Sequence, residues 1–316
     1  MMYFFIFLVG FLSVFTITPL MKKMAFKINF VDLPTKRKKH VKPMPLLGGI
    51  GIFIGFVIGY IAFIRPFNKK FFYVLIAAIM VIVIGLVDDW YKTKSREFGI
   101  VPRLVVQIAA ATLVYKAGIV FSGYNNPFTH TYVVLPQVFR YLLSVIWIVG
   151  VTTVINWCDG MDGLAGSLSV ISGITLFIVA MVKGQSGSAA MSILLVGVVL
   201  GFLRYNKHPA QIFIGDSGAN FLGFMLSIIA LDGAFKQTTV ISIFIPILAL
   251  GVPIFDSIFV ILKRFIEGKP IYKADRSQMH YRLESKGMNE VQVVSFICLI
   301  STCLCLFSII LLLLRI

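Results

Sequence analysis

Apolar runs follow one another from the first residue of this chain almost to the last, separated only by short polar segments. A sequence of that pattern needs lipid to take its apolar surface, and in lipid every backbone N–H and C=O must be satisfied within the protein. Helices and closed barrels are the two solutions, and these runs lack the two-residue alternation of a barrel strand. Only 13% of the 316 residues are charged, about half the share of an ordinary soluble domain. The expected fold is therefore all-α: one polytopic membrane domain over residues 1–316, with about ten transmembrane helices.

The expected spans are Met1–Leu20, Leu46–Phe63, Phe71–Val87, Pro102–Ile119, Val138–Val154, Leu164–Val182, Ala189–Leu203, Ala219–Leu231, Thr238–Phe255 and Val291–Leu314. The first has no basic leader and no small-residue cleavage site, so it reads as a retained span rather than a signal peptide. The ninth carries Pro246 and Pro253 and is expected to be kinked or broken, with a second half running on to Ile266. The four cysteines show neither zinc spacing nor a disulfide framework and read as packing residues.

Orientation follows from Lys and Arg. Twenty-one of the 29 fall in the loops after spans one, three, seven and nine. Those loops are expected on the cytoplasmic side of the plasma membrane, with both termini outside.

The chain has only 13 acidic residues, yet five of them sit at span ends. Asp88 and Asp89 follow the third span, Asp159 and Asp162 follow the fifth, and Asp216 precedes the eighth. All five fall in or next to odd-numbered loops, the side on which the basic clusters lie, although they played no part in the orientation. A carboxylate at a membrane edge is costly to desolvate, so a cluster of them ringed by cations points to chemistry. The chemistry is that of phosphate. Carboxylates hold a hard divalent cation such as magnesium, which bridges to phosphate oxygens, and Lys and Arg neutralise the rest. Glycines in Asp159-Gly-Met-Asp-Gly and Gly215-Asp-Ser-Gly permit close backbone approach, and both runs lead into helices whose N-terminal amides favour anions. The net charge of +16 suits an anionic lipid surface and an anionic substrate, whereas nucleic acid is a poor fit to cations confined to membrane loops.

Five stretches, in order, carry a family resemblance. They are Val31-Asp-Leu-Pro-Thr-Lys-Arg-Lys-Lys-His40, Asp88-Asp89-Trp-Tyr-Lys92, Asn156-Trp-Cys-Asp159-Gly-Met-Asp162-Gly-Leu-Ala, Asn206-Lys-His-Pro-Ala-Gln-Ile-Phe-Ile-Gly-Asp216-Ser-Gly, and Asp275-Arg-Ser-Gln-Met-His280-Tyr-Arg282-Leu. Together they resemble the polyprenyl-phosphate N-acetylhexosamine-1-phosphate transferases, most closely the bacterial undecaprenyl-phosphate GlcNAc-1-phosphate transferases that start cell-envelope polysaccharides. The muramoyl-pentapeptide transferases are relatives. The resemblance spans about Asp32 to Gly287. In the last loop Tyr281 stands where a second histidine is usual, while Arg282 favours the GlcNAc group.

The resemblance implies transfer of a sugar-1-phosphate from a UDP-N-acetylhexosamine to a polyprenyl phosphate, with release of UMP and with magnesium as cofactor. It implies Asp88, Asp89 and Asp159 as catalytic carboxylates, Asp88 as general base or nucleophile and Asp89 as support for the metal or lipid phosphate. Asp216 and Asn156 become the metal ligands. Lys92, Asp162, His280, Arg282 and His40 become substrate contacts, although positive-inside anchoring alone accounts for the charges around His40. Lys92 is four residues from Asp88 and shares its helix face if the helix continues. Asp256 is left open between packing and the site. Homodimers are common among the resembled enzymes, but nothing here marks an interface. A transporter would place its acids near the bilayer midplane and show an inverted repeat, and neither is visible. A CDP-alcohol phosphotransferase would need an arginine that the run Asp162-Gly-Leu-Ala-Gly lacks.

Overall fold

The computed structural model describes residues 1–34, 42–126, 129, 131–233, 240–270 and 276–314. It is helical, as the apolar runs require. The helices are α1 (Met2–Lys27), α2 (Gly48–Phe63), α3 (Lys69–Thr93), α4 (Ile100–Lys116), α5 (Gln137–Trp157), α6 (Leu164–Val182), α7 (Ser186–Asn206), α8 (Gly215–Gly233), α9 (Val240–Ala249), α10 (Gly251–Ile266), α11 (Met279–Ser285) and α12 (Glu290–Leu313). Two antiparallel ribbons decorate the loops: β1 (Val31–Asp32) with β2 (Met44–Pro45), and β3 (Gly123–Asn125) with β4 (Tyr132–Val134).

Each expected span holds a helix. Among the described residues, six helices are long and apolar enough to cross a membrane: α1, α3, α5, α6, α7 and α12. The expected count of ten is not reached on that measure: α2 has 16 residues, α4 has 17, the ninth segment is split, and the 19 residues of α8 include Asp216 and Asp232. Large apolar side chains such as Phe72, Ile76, Val105, Ile258 and Leu262 remain exposed, a surface suited to lipid.

The split has a local cause. Pro253 has no N–H to offer the carbonyl of Ala249 four residues back. Ser172 Oγ on α6 donates to that carbonyl at 2.6 Å, and Cys305 Sγ on α12 lies 3.5 Å from it. Helix α9 ends at Ala249 and α10 begins at Gly251, so neighbouring helices satisfy what the break releases.

Helix α8 is the centre of the bundle. Every one of its 19 residues is buried, and α3, α5, α2, α6 and α7 pack around it. It carries a carboxylate at each end. Asp232, near its C-terminus, binds Lys70 at 2.7 Å and Ser188 Oγ at 2.8 Å, tying it to the starts of α3 and α7. Asp216 lies in its first turn, at the opposite end.

Candidate active site

The acids expected in loops next to the spans are partly helical. Helix α3 runs on past Val87 to Thr93 and carries Asp88, Asp89 and Lys92 in its last turns. It has no reason to end where its apolar run ends, because its two carboxylates are buried too: Asp88 is 4% exposed and Asp89 is fully buried. Asp216 and Asp89 meet where α3 passes the start of α8.

Asp89 caps α8. Its Oδ1 accepts the Asp216 amide at 2.7 Å, and its Oδ2 accepts the Ser217 amide at 3.0 Å and the Ser217 hydroxyl at 2.6 Å. The first amides of a helix have no partner within it and carry the positive end of its dipole, so a carboxylate suits the position. Gly215 makes the approach possible. Its φ is +70°, and a β-carbon there would stand 2.6 Å from Asp89 Oδ2.

Asp216 is held from two sides. Lys92 Nζ lies 2.6 Å from its Oδ2, and Asn156 Nδ2 on α5 donates to its Oδ1 at 2.9 Å. Lys92 thus pairs with Asp216, not with its own-helix neighbour Asp88. Asp88 instead binds Arg103 Nη1 of α4 at 2.6 Å, and its carboxylate stands beside that of Asp216. Three helices, α3, α5 and α8, therefore bring Asp88, Lys92, Asn156 and Asp216 into one cluster, and Asp89 fixes the backbone beneath it.

Next to this cluster lies a cavity of about 640 Å³. Lys92 and Gly215 belong to its wall, as do Asp159, Asp162, His208, Arg276, Tyr281 and Glu290. Burial pushes the Asp159 carboxyl well above the usual carboxylate range; the Lys92 charge opposes this, and Asp216, Asp89 and Asp162 reinforce it. Asp162 ties three segments together. Its Oδ2 accepts the Ala210 amide at 2.9 Å and lies 3.1 Å from His208 Nδ1, while its own amide donates to Glu290 Oε1 at 2.8 Å.

His280 is buried against the Asp159–Asp162 turn, where a β-carbon on Gly160 would collide with its Nε2. Tyr281, in place of the usual second histidine, lines the cavity. Arg282 faces α10 and binds Asp256 at 2.8 Å. His40 lies outside the described residues.

Four residues with no assigned role in the sequence reading belong to this neighbourhood. Arg103 was one cation among many, Ser217 carried no charge to notice, and His208 had no partner in sight. Glu290 offered a local signal only: Asn289 and Gln292 form a capping box that starts α12 and so places Glu290 in its first turn.

The chain is similar to several known proteins. Residues 71–234 match the family model described as glycosyl transferase family 4. The chain is 40% identical, over 93% of its length and 80% of the relative's, to the probable undecaprenyl-phosphate N-acetylglucosaminyl 1-phosphate transferase of Bacillus subtilis. It is 29% identical to the decaprenyl-phosphate N-acetylglucosaminephosphotransferase of Mycobacterium tuberculosis, over 87% of this chain and 74% of that one. It is also 29% identical to the phospho-N-acetylmuramoyl-pentapeptide-transferase of Clostridium kluyveri, over 85% and 86%. With the matched region covering α3 to α8, the elements that build the cluster, the chain belongs to glycosyl transferase family 4.

Proposed function

We propose that this protein transfers GlcNAc-1-phosphate from UDP-GlcNAc to undecaprenyl phosphate, giving undecaprenyl-diphospho-GlcNAc and UMP. In this reading it performs the first membrane step of a cell-envelope polysaccharide, with its site on the cytoplasmic side of the plasma membrane, where the Lys and Arg excess lies. The observation that carries the reading is the contact set of Lys92, Asn156 and Asp216 at the wall of a cavity sized for a small-molecule ligand. The identity to a relative named for the GlcNAc reaction, higher than to the muramoyl relative, supports the choice of sugar.

The nucleotide sugar occupies the cavity. Arg276 and Lys92 supply positive charge for its diphosphate, and Asp159 and Asp162 order the nucleotide. The polyprenyl phosphate approaches from the α3–α4 side, where Arg103 is already held on Asp88. An oxygen of the lipid phosphate attacks the phosphorus bonded to the sugar, and a new P–O bond forms. The bond from that phosphorus to the bridging oxygen breaks, and the oxygen leaves on UMP with the electron pair. Asp88 takes the proton from a lipid phosphate that arrives protonated. Asp89 keeps the start of α8, and with it Asp216, in register. Most of the rate comes from positioning and charge complementarity.

The residues fit a magnesium ion by their chemistry. Asp216, Asn156 and Asp88 offer hard oxygen donors, and Asp216 already holds a cation, the Lys92 ammonium, at 2.6 Å. Asp216 and Asn156 would hold the ion, with the Asn156 side chain turned to present its oxygen. When bound, magnesium supplies charge neutralisation for the diphosphate.

The test uses purified protein in detergent with undecaprenyl phosphate and magnesium, offered UDP-GlcNAc, UDP-GalNAc or UDP-MurNAc-pentapeptide separately. UMP release with UDP-GlcNAc alone, lost in Asp88→Asn and Asp216→Asn, is the expected result. Release with another donor only would overturn the choice of sugar, and no release from folded protein would overturn the reaction.

A further inference from the structure

Arg282 and Asp256 are both conspicuous, yet the reaction above uses neither. Asp256 projects from α10 and is a charge within its apolar first turns, well before Lys263 and Arg264 in the last turn. Both of its oxygens accept the backbone amide of Met279, at 3.0 and 2.8 Å, and Oδ1 also binds Arg282 Nη2 at 2.8 Å. The guanidinium carbon lies 4.0 Å from the ring centre of Phe259, three residues further along α10. One helix therefore grips Arg282 by charge and by ring, and the same carboxylate holds the first amide of α11.

Helix α11 needs such a grip. It has seven residues, too few to hold a helical shape without tertiary contacts. Its other anchors are apolar: Met279 and Leu283 pack with Met161, Leu164 and Val293, from the Asp159–Asp162 turn, α6 and α12. Between these anchors the helix presents His280 to Gly160 and Tyr281 to the cavity.

We infer that Asp256 and Arg282 are a positioning pair that sets α11 across the cavity, so that Arg282 acts on donor binding through Asp256 and not by touching the donor. The break after Ala249 has a part in this, because it sets the direction in which α10 carries Asp256 toward the loop. The inference rests on the reading that the cavity takes the nucleotide sugar.

The experiment measures UDP-GlcNAc binding by calorimetry, together with KM, kcat and thermal unfolding. It uses the wild-type chain, Asp256→Ala, Asp256→Asn, Arg282→Ala, Arg282→Lys and the double alanine variant. Each single alanine variant is expected to weaken donor binding about tenfold, and the double variant no further, because the two act as one unit. Raised KM for the donor with kcat largely kept, an intermediate effect for Asp256→Asn and near-normal binding for Arg282→Lys complete the expected pattern. A lysine can still meet Asp256 but cannot replace a bidentate contact with a phosphate.

Three results overturn the inference while leaving the donor reading intact. One is a double variant whose loss equals the sum of the singles. Another is an Arg282→Lys variant as impaired as Arg282→Ala. The third is a fall in unfolding temperature with donor affinity unchanged, which reduces the pair to a brace. Absence of UDP-GlcNAc binding by the wild-type chain overturns the donor reading itself, and the inference with it. If Asp256→Ala does not fold, Asp256→Asn and the Arg282 variants decide the matter.

Discussion

Asp89 and Asp216 are joined by a single hydrogen bond of 2.7 Å, from the amide of the second to the carboxylate of the first. Two adjacent aspartates at the end of α3 thereby have different surroundings. Asp88 reaches sideways to Arg103 on α4, whereas Asp89 reaches into α8 and is closed off from solvent. Replacing Asp89 by alanine leaves the Asp216 and Ser217 amides without their acceptor, at a cost of about 1–3 kcal/mol for each buried donor. Asp89→Ala is therefore expected to unfold at a clearly lower temperature in detergent and to lose activity as well. Asp88→Asn should lose about 10²-fold or more in rate with a much smaller change in unfolding temperature. Equal unfolding temperatures for the two variants would contradict the separation of roles.

The cation content of the cluster gives a second prediction. In the proposed reading a divalent ion would compete with Lys92 for the Asp216 carboxylate, whose Oδ2 the ammonium holds at 2.6 Å. Chelation by EDTA should abolish UMP release, and magnesium should restore it. Asp216→Asn should raise the magnesium concentration for half-maximal activity by about tenfold or more, since a charged oxygen donor is lost. Lys92→Gln should shift it the other way, toward tighter ion binding, while lowering the rate through loss of phosphate neutralisation. Unchanged magnesium dependence in both variants would remove Asp216 from the ion's coordination.

Much of this architecture was legible in the sequence, for reasons that vary by element. The helices show because lipid forces continuous apolar runs, and the break at residue 250 shows because Pro253 cannot donate to Ala249. The cluster shows as a set of acids at one level of the bundle. Its pairings do not. Local spacing suggests Lys92 with Asp88, but the Lys92 side chain turns to Asp216 on α8, while Arg103 of α4 takes Asp88. The cap on α8 is invisible for the same reason: nothing within Gly215-Asp-Ser-Gly announces that its acceptor lies more than a hundred residues earlier. Arg103, Ser217, His208 and Glu290 each come from a different segment and meet their partners only after folding.

Asp159 supplies a pH dependence whose sign can be worked out. Burial lifts its carboxyl well above the usual range, so the folded chain keeps a proton that the unfolded chain has already lost near its ordinary value of about 4. Where the folded state binds more protons, stability falls as pH rises, from about pH 4 up to the lifted value. Asp159→Asn removes that term, because asparagine stays neutral. The variant should unfold at a higher temperature than the wild-type chain at neutral pH, with the difference shrinking as pH is lowered toward 5. Thermal unfolding of both proteins across that range is the check, and parallel curves would show that Asp159 titrates normally.

The fit between Gly160 and His280 is tight enough to test with a single methyl group. Gly160 lies in the turn between α5 and α6, and a β-carbon on it would collide with the imidazole Nε2 of a histidine that is 2% exposed. His280 cannot retreat easily, since the residues on either side of it are fixed: Met279 by Asp256, and Tyr281 in the cavity wall. Gly160→Ala should therefore push α11 out of place and lower activity by about 10²-fold, in line with the cost of misplacing groups around a reacting substrate. Gly150→Ala is the matched control, because a β-carbon there meets nothing within 4 Å. The double variant Gly160→Ala/His280→Ala separates two causes. Recovery of donor binding in the double variant would assign the loss to collision and displacement. A double variant that binds no better than Gly160→Ala, with His280→Ala alone equally poor, would mean that the imidazole itself contacts the donor.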